Sequence, residues 1–274
     1  MIYITPQESM MFQIFKKTLR DKRVFIYGWS LGLIVMAVFM VILFPSFSGG
    51  EVDQLVETLP AFFDGFMGNL QDWRQLPGYI GSQLYDIRLP MLLSVLAIML
   101  PLSISVAEEE KGQLRTLLSL PYYRRTVFWG KWLAIISISL IAALSTLIGV
   151  WIGVMLIDES LASDVYARFG LYSWLVTMTM ASVTFAVGMA TGSRSAALGV
   201  GIIATVGSFL LTTFAQAVDW LEPYTWLSIL HYFPAADVAK GVMNWSDIVV
   251  LAAVTILPIV IASFIFGRRD ISAA

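Results

Sequence analysis

Six stretches of the chain run without a single Asp, Glu, Lys or Arg: Val24 to Gly50, Leu89 to Ala107, Trp132 to Ile157, Phe169 to Ser193, Ser195 to Val218 and Ile248 to Gly267. About 20 apolar residues in a helix cross the hydrocarbon core of a bilayer, and each stretch is long enough. The pattern predicts an all-α polytopic membrane protein with six spans, at 24–46, 89–107, 132–157, 171–193, 195–218 and 248–267. Pro90, Pro101 and Pro258 inside these runs predict kinks, not breaks, because neighbouring helices can re-satisfy the freed carbonyls. The first run follows 23 mostly polar residues and exceeds the apolar core of a signal peptide, so it reads as a permanent anchor.

The polar segments carry patterns of their own. Over residues 5–23, Thr5 as N-cap, Pro6 in the first turn and Glu8 closing a capping box predict a helix start. Met11, Phe12, Ile14, Phe15 and Leu19 then form an apolar stripe opposite Lys16, Lys17, Arg20 and Arg23, the pattern of a helix lying in the membrane interface. The same charges also serve as a plain positive anchor. Within 51–88, Leu55, Leu59, Phe62, Phe63 and Phe66 recur at helical spacing beside Asp53, Glu57 and Asp64 and predict an amphipathic helix. Within 108–131, Leu114, Leu117 and Leu118 share one face of a short helix. Glu108 to Glu110 precede it, where the dipole favours negative charge; Pro121 stops it, and Thr126 is placed to cap a second helix leading through Lys131 into the third span. An apolar face at the tip of such a loop is expected to be exposed unless a partner covers it.

Composition sharpens the picture. The 274 residues are 58% hydrophobic and 13% charged, against about 25% charged in soluble domains, so no room is left for a sizeable soluble domain. The absence of cysteine and the single histidine, His231, exclude disulfides, thiolate zinc sites, thiol nucleophiles and a multi-histidine metal centre. No G-x-x-x-x-G-K-[ST] phosphate loop is present, so the chain does not bind ATP in that manner. Nothing in it points to nucleic acid.

The net charge of −2 conceals a division by loop. Lys16, Lys17, Arg20, Lys22, Arg23, Lys111, Arg115, Arg124, Arg125, Lys131, Arg194, Arg268 and Arg269 fall on one side, which places that side and both termini in the cytoplasm of the cell membrane. The alternate loops hold only Arg74, Arg88, Arg168 and Lys240 but most of the acidic residues, so 51–88 and 219–247 are expected outside. The expected spans contain no ionisable side chain, which argues against an ion-driven carrier. Small residues four apart, at Gly28 and Gly32, Gly149 and Gly153, and Gly188 and Gly192, fit close helix packing. Ser173, Thr177, Thr179, Ser182 and Thr184 of the fourth span fit either packing or a substrate pathway.

Taken together, Glu108 and Glu110 before Gly112, then Leu114, Leu117, Leu118, Pro121, Arg124, Arg125, Gly130 and Lys131 resemble the cytoplasmic signature of ABC-2 type permeases, the membrane subunits of ABC transporters. Phe266 to Ile271 and Leu227 to Gly241 resemble that family as well. The family more often has Thr and an acidic residue flanking Leu114, where this chain has Gln113 and Arg115. The resemblance implies that Gln113 to Leu120 is a coupling helix seated in a separate ATP-binding subunit, which binds the ATP and Mg, and that 5–23 is a connecting helix touching the same subunit. It implies two permeases, identical or homologous, with two ATP-binding subunits, and no catalysis by this chain. Residues 219–247, rich in aromatics, either dip back into the outer leaflet, as the resemblance implies, or form an interfacial aromatic belt. Phe39, Phe209 and Phe214 are candidate walls of a cavity between the first, second and fifth spans of two protomers. Uncharged spans favour an apolar or amphipathic cargo such as a drug, antibiotic, peptide or lipid. The rival readings are a non-transporting membrane scaffold for an ATPase and an ion-driven carrier.

Overall fold

A computed structural model of the chain describes residues 6–47, 73–119, 123–215 and 218–270, and among these residues all regular structure is helical. Six helices are long and apolar enough to cross a membrane: Arg23–Phe47, Leu76–Glu110, Arg124–Leu156, Ser163–Thr191, Arg194–Ala215 and Trp245–Arg268. The amphipathic segment inside 51–72, and also Thr5, Pro121 and Ile271, lie outside the described residues. Helices run on through Pro101 and Pro258; the second breaks at Ser105, whose backbone leaves the helical region.

The fourth span forms the centre. It packs against the second and sixth spans, and the third packs against the first. Its Ser173, Thr177, Thr179, Ser182 and Thr184 are all buried, and each hydroxyl donates to a carbonyl three or four residues back. Thr179 also meets Thr255 of the sixth span at 2.9 Å. These side chains therefore pack the core of the bundle. The first, fifth and sixth spans leave much of their apolar surface uncovered, as helices facing hydrocarbon do.

Of the glycine pairs, Gly149 with Gly153 and Gly188 with Gly192 make close contacts, a Cβ on Gly188 standing 2.8 Å from the Ser105 hydroxyl oxygen. A Cβ on Gly149 would stand 2.6 Å from the Ile34 carbonyl oxygen, and one on Gly153 would stand 2.6 Å from Val41 Cβ. Gly28 and Gly32 face open space instead. Gly149→Ala is accordingly expected to cost about 1–3 kcal/mol by overpacking and to lower the thermal unfolding midpoint, whereas Gly28→Ala should leave it unchanged. Equal midpoints for the two variants would contradict the contact.

The observed boundaries correct the expected ones. The helix that carries the second span starts at Leu76, well before Leu89: Leu76–Ile80 is helical, Gly81–Arg88 continues as a π-helix, and Leu89–Ile104 follows without interruption. Residues 76–88 are thus not loop, and two charged residues, Asp86 and Arg88, belong to that helix. Tyr79, Ile80, Leu84 and Tyr85 are buried, which is why the helix persists past its charges. The third helix starts at Arg124 with Tyr123 at its N-cap and no side-chain cap, so Thr126 does not cap it. The fourth reaches back to Ser163.

Residues 219–247 form 3-10 turns at Asp219–Leu227 and Leu230–Tyr232 and a short helix at Ala235–Ala239. Leu230, Phe233, Ala235 and Val238 are buried, whereas Trp220, Tyr224, Trp226 and Trp245 stay exposed. Phe233 stacks on Tyr172 at 5.5 Å and meets Tyr85 edge-on at 6.3 Å. One part of this segment folds back into the bundle, and the other forms an aromatic rim.

Candidate functional site

The expected coupling residues gather at one end of the bundle, and what organises them is a run of three glutamates. After the break at Ser105 the chain makes a short helix, Val106–Glu110, turns at Gly112 in the left-handed conformation (φ 71°) and makes a second short helix, Gln113–Leu118. Glu108, Glu109 and Glu110 sit on the first of these, not merely before the second. Each pairs with a different span. Glu108 meets Lys131 of the third span at 2.8 Å, Glu109 meets Arg269 at the end of the sixth, and Glu110 meets Arg194 at the start of the fifth at 3.2 Å.

The three pairs differ in burial and therefore in strength. Lys131 is 1% exposed in its side chain and Glu108 is 14% exposed; the ammonium also donates to the Ile104 carbonyl at 2.6 Å. A lysine this deep is tolerable only because carboxylate and carbonyl satisfy it together. The Arg269–Glu109 pair is half-buried, and Arg124 donates to the Arg269 carbonyl oxygen, joining the third and sixth spans. The Glu110–Arg194 pair is exposed and contributes little by itself. Lys131 and Arg124 thus act inside the chain. Arg125 lies over the Phe264 ring at 5.2 Å.

The N-terminal helix, Pro6–Asp21, joins the same end. Ile14 and Thr18 are buried, whereas Phe12 of the expected apolar stripe is 52% exposed. The helix crosses the third span at Gly130, where a Cβ would stand 2.9 Å from Ile14 Cγ2, so a glycine there lets the two backbones approach. Lys22 links it to the second span by donating to the Ser103 carbonyl at 3.1 Å. Burial pushes the Lys22 ammonium below its ordinary pKa, with Glu108 partly opposing the shift.

The leucine face points elsewhere than expected. Leu114 is fully buried within the chain, and Leu117 and Leu118 are half-buried against the same core. The stripe is therefore spent mostly on the protein's own bundle. What the short helix exposes is Gln113, Arg115, Thr116 and Ser119, beside Glu110, Lys111 and Gly112. A groove of about 620 Å³ runs between the two helices, lined by Gln13, Ile14, Lys17, Glu108, Thr116 and Leu117.

The three phenylalanines are not brought together. Phe39 faces outward from the first span and Phe214 is 39% exposed. Phe209 alone lines a cavity, between the second and fifth spans. The helices that hold the spans extend beyond the uncharged runs, and Asp86, Arg88 and Lys131 are among the charged residues they carry. The sequence named Lys131 as a coupling residue without its pairing to Glu108, and it placed Asp86 in the external loop. Among the described residues no cluster of three or more potential metal ligands occurs.

Comparison with known proteins adds one finding. Residues 13–271, nearly the whole chain, match the model of a family described as ABC-2 family transporter protein. No individually curated protein matches the chain.

Proposed function

The chain belongs to the ABC-2 transporter family, and on that premise we propose that it is the permease half of an ATP-driven exporter, worked by a separate ATP-binding subunit. The observation that carries this reading is the three-glutamate element. A partner that pushes on the exposed face of Gln113–Leu118 also moves Glu108, Glu109 and Glu110, and these grip the third, sixth and fifth spans. Force applied at one small helix is thereby delivered to half of the bundle. An anchor that merely holds an ATPase has no use for such a distribution.

In this reading the glutamate end is cytoplasmic, as the charge sorting requires, and the protein resides in the cell membrane. Two ATP-binding subunits hold ATP and Mg and meet Gln113, Arg115, Thr116 and Ser119; two permeases pair through uncovered faces. The cargo is apolar or amphipathic. The chain does no chemistry of its own.

Two measurements test the reading. Since the chain lacks cysteine, a single Gln113→Cys substitution reports sidedness: an impermeant thiol reagent should label it in inverted vesicles and not in intact cells, and labelling from outside would overturn the orientation. Gentle purification from membranes should retain an ATP-binding subunit whose hydrolysis rises with cargo in reconstituted vesicles. A bound ATPase without cargo stimulation indicates a scaffold. Transport with no ATPase, driven by a proton or sodium gradient, indicates a carrier.

A further inference from the structure

The second span carries a carboxylate that the coupling element does not use. Asp86 is half-buried and makes no hydrogen bond or ion pair among the described residues. The basic residue next to it in sequence is engaged elsewhere, since Arg88 donates to the carbonyl and side-chain oxygens of Gln83. An ionisable group without a partner in a membrane-crossing helix marks function more often than packing. It lies about 22 residues before Glu108, or roughly 33 Å along the helix at 1.5 Å per residue. With a hydrocarbon core of about 30 Å, that distance puts it at the opposite edge of the membrane from the glutamate element.

Asp86 faces a cavity of about 280 Å³ between the second and fifth spans, walled by Met91, Phe209, Leu230 and Phe233 with Thr212 and Thr213. Tyr85 lines the same cavity. It is fully buried, stacks on Phe169 at 4.1 Å, and its hydroxyl has no hydrogen-bond partner. Buried hydroxyls are normally satisfied, but this one is enclosed by protein and out of reach of a molecule in the cavity, so the site rests on Asp86. The need is specific: Asp86 requires a cation or a hydrogen-bond donor, and most of the surrounding wall is apolar.

We propose that this cavity binds an amphipathic cation, its ammonium against Asp86 and its apolar body against Phe209, Phe233 and Met91. The assignment rests on the permease reading only in making such a cation the cargo; the binding itself does not. An anionic or zwitterionic head would meet the Asp86 charge unfavourably. A neutral ligand would leave the carboxylate as unpaired as it is now.

The test uses the purified full chain in lipid nanodiscs and two isosteric probes, radiolabelled 2-phenylethylammonium and 2-phenylethanol. Amine binding should be saturable, weakened at least about tenfold by Asp86→Asn, as loss of a charge-assisted hydrogen bond requires, and unchanged by Tyr85→Phe, whose hydroxyl the cavity does not reach; the alcohol should bind both variants as it binds the unaltered chain. Thr213→Lys, which sets a cation inside the cavity, should abolish amine binding and keep alcohol binding, and serves if Asp86→Asn does not fold. Unchanged amine binding in Asp86→Asn or Thr213→Lys overturns the proposal, as does equal affinity of the unaltered chain for the two probes. No ATPase is needed, so the two readings fail separately. Lost amine binding in a chain that still couples to an ATPase removes the site and leaves the permease. Amine binding in a chain that never retains an ATPase does the reverse.

Discussion

Lys131→Met is expected to lower the stability of the chain by about 3–5 kcal/mol, read as a fall in the thermal unfolding midpoint of the purified protein. The reason is not the loss of a salt bridge as such. The ammonium is almost completely enclosed, and removing it leaves Glu108 as a mostly buried carboxylate without its cation and the Ile104 carbonyl without its donor. The double variant Lys131→Met, Glu108→Leu should recover much of the loss, because two apolar groups replace two charges. The Ile104 carbonyl then sets what is not recovered, about 1–3 kcal/mol for a buried unsatisfied group. Arg194→Met, which breaks the exposed pair with Glu110, should cost at most about 1 kcal/mol. A double variant no more stable than Lys131→Met would show that the lysine acts other than through Glu108.

Leu114→Asp is expected to be the most damaging single change on the short helix and to act on the chain itself. Leu114 is fully enclosed by the bundle. The substitution forfeits roughly 2 kcal/mol of burial and adds a carboxylate with no partner in sight, so the helix should undock and the yield of folded protein should drop. Thr116→Asp, on the exposed face, should fold normally and lose affinity for the ATP-binding subunit. Leu118→Asp lies between them, with its side chain packed on the core on one side and open on the other. Measuring thermal stability and ATPase retention for the three together separates packing from docking. If Leu114→Asp folds as well as Thr116→Asp and only the ATPase is lost, the leucine face belongs to the partner after all.

These two residues show how far the sequence could be read. The spacing of Leu114, Leu117 and Leu118 correctly marks a helix and its apolar side, because period 3.6 is a local property. It cannot say what that side faces, since the bundle and a partner subunit both offer apolar surface. Lys131 and Glu108 were recognisable as members of a motif, yet their pairing spans the turn at Gly112 and two helix ends. Asp86 was hidden by the rule that found the spans, which counts charges along the chain and is blind to the side chains packed around them.

By itself the sequence determined the number of spans, the all-α class, the charge asymmetry that orients them, and the family resemblance later matched over residues 13–271. Each follows from a local quantity: about 20 apolar residues suffice to cross, and basic residues are counted loop by loop. Only the tertiary structure decided that the glutamates fan out to three spans, that Gly149 and Gly153 pack while Gly28 and Gly32 do not, and that the helix of the second span continues through Asp86 to Leu76. The reason is common to all three. Whether a charge or a glycine is buried, paired or left open is fixed by atoms that other helices bring to it, and those helices are distant in sequence.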